Sequence, residues 1–82
     1  MVGNIVVGSF VFINGANAIA TGSVILKLND LPRNFRATYD FIMNAGGSVI
    51  MAYTESGTKN LKNNATVPAN ATVFGMFVGS IS

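Results

Sequence analysis

The stretch Gly3–Asn14, GNIVVGSFVFIN, limits what this chain can become more than any other. At the two-residue period of a strand, Ile5, Val7, Val11 and Ile13 fall on one side, with Val6, Phe10 and Phe12 on the other. A strand that is apolar on both faces has to be covered twice. The segment Ala71–Ile81, ATVFGMFVGSI, repeats the pattern, with Val73, Phe77 and Ile81 opposite Phe74, Met76 and Val78. Gly75 and Gly79 fall on the Val73 face, where they permit close approach of a neighbour or a bulge. A single domain over residues 1–82 has a limited core with which to cover two such strands. Half of its residues are hydrophobic and only 10% are charged, against about 25% in an average soluble domain, so few polar side chains remain as shielding. Part of the cover is therefore expected from another subunit.

Between these two strands the chain alternates short apolar runs with turn residues. Asn14-Gly15-Ala16-Asn17 reads as a turn. Alternation resumes over Ala18–Leu28, with Val24, Leu26 and Leu28 facing one way and Ser23, Ile25 and Lys27 the other. This segment is expected to pair with the first as an antiparallel hairpin. In Asn29–Ala37 the proline at position 32 ends the strand, Leu31 and Phe35 are the expected inward anchors, and Arg33 and Arg36 point outward. Thr38–Asn44 and Ser48–Thr54 form a second hairpin around Ala45-Gly46-Gly47. After the turn Glu55-Ser56-Gly57, the polar segment Thr58–Asn64 reads as a short edge strand or a loop, its lysines guarding the edge. Val67-Pro68-Ala69-Asn70 bends the chain into the last strand. β-Branched, aromatic and glycine residues disfavour helix throughout. About six strands separated by frequent turns predict an all-β fold, a small antiparallel β-sandwich or jelly-roll-like barrel.

Composition narrows the chemistry. There is no cysteine, hence no disulfide and no thiolate, and no histidine, the usual near-neutral proton shuttle and commonest metal ligand. Asp30, Asp40 and Glu55 lack calcium-loop spacing, so no metal and no cofactor are expected. A formal charge of +2 is too small for a nucleic-acid footprint. The N-terminal segment lacks the basic start of a signal peptide, and no run approaches the ~20 apolar residues of a membrane span. A soluble mature chain without membrane insertion is the expectation. Asp40 and Glu55 are conceivable as a glycosidase pair, but nothing in the sequence brings them around a cleft, and the chain is read as a non-enzyme. The sequons Asn64-Ala65-Thr66 and Asn70-Ala71-Thr72 follow from the abundance of Asn and Thr.

Three segments carry a resemblance. Gly3-Asn4-Ile5-Val6-Val7 resembles a glycine-asparagine start running into a valine-rich strand. Leu31-Pro32-Arg33-Asn34-Phe35-Arg36 resembles an L-P-x-x-F-R loop, and Val67-Pro68-Ala69-Asn70-Ala71-Thr72-Val73 an I-P-A-N-T-x-V bend, with Ala71 in place of the threonine. In this order they frame nearly the whole chain, which resembles the C-terminal receptor-binding head domains of bacteriophage tail-fibre and baseplate proteins. The resemblance implies a β-sandwich assembled as a homotrimer at the tail tip of a virion. It also implies attachment to a larger fibre or baseplate protein and binding to host cell-surface polysaccharide. Such heads usually follow a shaft, whereas this chain begins at the module. That fits an excised head or a free-standing copy acting as a companion subunit.

Saccharide sites pair an aromatic platform with amides, carboxylates or arginine that hydrogen-bond hydroxyls. The candidates are Tyr53, Glu55, Arg36, Asp40, Tyr39, Asn60 and Asn63. Each also has a plain structural reading: Tyr53 as a strand residue with its hydroxyl at the rim, Glu55 as a turn residue, Arg36 and Asp40 as a mutual ion pair. The leading expectation is a host-recognition head that binds saccharide without chemistry. Its rivals are a non-binding trimerisation cap or decoration subunit, and a carbohydrate-binding module attached to an enzyme.

Overall fold

The computed structural model describes residues 5–81. The Gly3-Asn4 part of the resemblance lies outside them. Six strands form: β1 (Ile5–Ile13), β2 (Val24–Lys27), β3 (Asp40–Ala45), β4 (Ser48–Thr54), β5 (Asn60–Asn63) and β6 (Thr72–Ser80). They make one sheet in the order β1-β6-β3-β4-β5-β2, with every pairing antiparallel. The sheet curls into an open half-barrel, because its edge strands β1 and β2 do not pair with each other. Six antiparallel strands agree with the sequence pattern, and they form a single curled, open half-barrel sheet in place of the expected β-sandwich or jelly-roll-like barrel.

The partner of β1 is β6 rather than β2. All nine residues pair, from Ile5 opposite Ser80 to Ile13 opposite Thr72. Length decides this, since β6 also has nine residues and β2 only four. Side-chain size reinforces it: Gly8 lies opposite Phe77, so that ring meets bare backbone. A Cβ at Gly8 would sit 2.6 Å from the Phe77 ring. The β3–β4 hairpin forms as expected around Gly46 and Gly47, whose φ angles of 62° and 89° suit the tight turn that glycine allows.

β5 is a strand but not an edge. It lies between β4 and β2, with Lys62 opposite both Tyr53 and Val24. The outer strand is β2, and a register shift between Val24 and Leu26 breaks its alternation. Val24 is therefore exposed while Leu26, opposite buried Leu61, turns toward the core; the two do not share a face.

The core fills the concave side. Phe41, Met43 and Ala45 of β3, Ala52 of β4, Leu61 of β5, and Val73 and Phe77 of β6 are buried there. Chain segments between strands supply the second layer. Ile19 bridges Val67, and the loop between β2 and β3 inserts Phe35, with Leu31 partly buried behind it. Phe35 meets Phe77 edge-on at 6.3 Å between ring centres. Its backbone is tied on both sides: its N–H donates to the Thr58 carbonyl, and Arg36 N–H donates to the Ser80 carbonyl. Gly79 is where Phe35 rests, which makes it a site of close approach and not of a bulge; a Cβ there would lie 2.5 Å from the ring.

The convex side has no second layer among the described residues. Ile5, Val7, Val11 and Ile13 of β1, Phe74, Met76 and Val78 of β6, Ile42 of β3, and Val49 and Met51 of β4 are 40–74% exposed. Register sets them side by side, with Val7 opposite Val78, Val11 opposite Phe74 and Ile42 opposite Met51. Because Phe35 cannot retreat, Gly79→Ala is expected to cost about 1–3 kcal/mol through overpacking. Urea denaturation of the variant, read as a shift of midpoint at unchanged slope, checks this.

Candidate functional site

The convex surface is divided across the sheet. Over β1, β6, β3 and the first part of β4 it is apolar; over the end of β4 and β5 it becomes polar. Asp40, Tyr53 and Lys62 stand directly opposite one another on β3, β4 and β5. Thr54 fixes the approach to this row from beneath. Fully buried, its Oγ1 accepts from the Tyr39 N–H at 2.9 Å and donates to the Ala37 carbonyl at 3.1 Å.

Beside the row, Glu55 collects donors from three side chains. Its Oε2 accepts from Lys62 Nζ at 3.0 Å, and its Oε1 from Asn60 Nδ2 at 3.1 Å and Thr58 Oγ1 at 3.2 Å. The turn that carries Glu55 is closed on itself, since Thr58 Oγ1 also reaches the Glu55 carbonyl. The Lys62 bond, then the Asn60 bond, hold the Glu55 carboxyl below its usual 4.5 against the opposing effect of partial burial. The same contact raises Lys62 above 10.5. Arg36 lies at this end too, with Ser56 Oγ donating to its carbonyl at 3.4 Å. Among the described residues the ion pair is Lys62–Glu55. Arg36 and Asp40 do not form the pair that their spacing suggested.

Six of the candidates, Tyr39, Asp40, Arg36, Tyr53, Glu55 and Asn60, thus gather at one end of the sheet. Asn63 does not join them. Its side chain is fully buried on the concave side, where Oδ1 accepts from Ser23 N–H at 2.8 Å. Its Nδ2 faces the carbonyls of Ile19, Ala20 and Ala65. Asn63 is a clamp for the loop before β2. Sequence reading missed Lys62 and Thr58, which organise Glu55. The alternation of Asn60 and Lys62 along β5 was the available signal, and it was lost by taking that segment for a short edge strand or a loop.

The other surface feature is a shallow apolar depression of about 470 Å³ on the convex side, bordered by Ile42, Val49, Phe74 and Met76 with Ser9 and Asn44. It offers shape and apolar area, whereas the Tyr53 row offers a ring with a carboxylate, an ammonium and an amide around it. A ring with such a rim suits a flat polyhydroxylated ligand, and an apolar depression suits an apolar side chain. Comparison with known protein families, with curated proteins and with solved structures returned no match.

Three outcomes follow from these bonds. Glu55 contributes stability above the unfolded carboxylate value near 4.5, and that contribution is lost as pH falls through its lowered folded value. Lys62→Met is expected to return Glu55 toward its ordinary pKa, as followed by carboxyl NMR titration. Asn63→Ala strands the Ser23 N–H and the carbonyls around it, and is expected to cost about 2–5 kcal/mol by chemical denaturation.

Proposed function

We propose that this chain is an attachment head of a phage fibre or baseplate, assembling as a homotrimer through its apolar convex surface and meeting host cell-surface saccharide with the Tyr53 end of the sheet. The observation that carries the reading is the continuous uncovered face over four strands. Each Val, Ile, Met or Phe side chain taken fully out of water is worth about 1.5–3 kcal/mol, so leaving this many half-exposed on an isolated chain forgoes a large stabilisation. Burial between copies recovers it. The depression bounded by Phe74 and Met76 would accept an apolar side chain from a neighbour.

Saccharide contact rests on the grouping of Tyr39, Asp40, Tyr53, Glu55 and Asn60 beside that face, together with the L-P-x-x-F-R and P-A-N segments. The reading needs no catalytic group, cofactor or metal. Light scattering is expected to give a mass that is a multiple of three times the 8.6 kDa protomer. A cell-wall glycan array is expected to show binding that Tyr53→Ala weakens at least tenfold without changing the mass. The same mass with no glycan bound would favour a structural companion subunit, and a monomer would overturn the proposal.

A further inference from the structure

We infer that two copies of this chain join edge to edge through β1, antiparallel about a two-fold axis at Ser9, to form one continuous sheet. The inference goes beyond the trimeric reading and does not rest on it.

Among the described residues nothing pairs with the far side of β1. Asn14 N–H donates to the Ala71 carbonyl, which lies across from it on the β6 side. Backbone groups alternate in direction along a strand, so the even-numbered residues of β1 bond to β6. The N–H and C=O groups of Ile5, Val7, Ser9, Val11 and Ile13 therefore point away from β6, at the open edge. The opposite edge is blunted in the usual ways: β2 has four residues, a register shift and Lys27. β1 has no such protection. It runs nine residues without a charge, a proline or a break in register.

The five residues that present free backbone read Ile-Val-Ser-Val-Ile in either direction. An antiparallel copy aligned with Ser9 on Ser9 sets Val7 opposite Val11 and Ile5 opposite Ile13. On the concave side it sets Gly8 opposite Phe10 and Val6 opposite Phe12. Every outward N–H and C=O of the edge then has a partner, and the apolar side chains stay on the convex face. A slip of one residue aims these groups at residues whose own groups point elsewhere. A slip of two leaves both ends unpaired and puts Ser9 against valine. The arrangement is isologous, so it closes at two copies and does not propagate into a fibre.

The chain has no cysteine, which makes cross-linking a clean readout. Hydrogen-bonded pairs place Cα atoms about 5.5 Å apart, within the roughly 4.4–6.8 Å that a disulfide spans. Ser9→Cys is therefore expected to form a covalent dimer on mild oxidation. Val7→Cys is not, because its counterpart is displaced by four residues, about 14 Å; adding Val11→Cys restores the link. Ser9→Pro removes an outward N–H without touching the β6 pairing, and is expected to halve the mass by light scattering with the strand spectrum retained. Should that variant not fold, the cross-linking pair decides. Two chains in the parent protein would support edge pairing and overturn the trimer; six would support both. Three chains would overturn edge pairing alone, and one would overturn both. Linkage of Val7→Cys as readily as Ser9→Cys would also overturn it.

Discussion

Close packing of phenylalanine rings onto glycine backbone is the constraint on which the architecture depends. Phe77 lies over Gly8 across the β1–β6 pair, and Phe35 lies over Gly79 at the far end of β6. The first contact holds together the longest pair of strands. The second pins the loop between β2 and β3 over the open end of the sheet, so that a loop residue completes the core that a second sheet would otherwise supply. Edge-on contacts from Phe35 to Phe77 and from Phe41 to Phe10 carry the packing from one end of the concave side to the other.

The consequence is a domain with one finished side. Its concave face is closed by Phe35, Val67 and their neighbours, and the clamp at Asn63 satisfies the backbone of the loop before β2. Its convex face is divided into an apolar field and a polar end, with Tyr53 near the boundary. Curvature makes this division useful, because a curled sheet presents its outer side as a projecting surface. An apolar field invites burial, and beside it lies a polar rim in which Glu55 is bonded to Asn60 and Lys62, with Asp40 next to them on β3.

Much of the local structure was legible. The period-two faces of β1 and β6 are those of the alternation, and the Gly46-Gly47 turn sits where glycine permits positive φ. Phe35 was readable as an anchor, being a large apolar residue in a loop of charged and polar neighbours. The pairing of β1 was not readable from proximity. Adjacent segments suggested a hairpin, whereas matched length and glycine-to-ring fit brought β1 to β6 across nearly the whole chain. The bulge in β2 was invisible for a similar reason, since it shows only in the register of β2 against β5.

The candidate site divides along the same line. Residue types and turn positions singled out Tyr53, Glu55 and Asn60, and the fold gathers them; the same reasoning singled out Asn63, which the fold buries. What the sequence by itself determined was the faces of β1, β3, β4 and β6 and the turns between strands, because these depend on neighbours one or two residues away. Only the tertiary structure decided the strand order, the open edge at β1, and which polar side chains meet. Those depend on contacts between residues far apart in the chain, where shape and hydrogen-bond geometry choose among pairings that local pattern leaves equivalent.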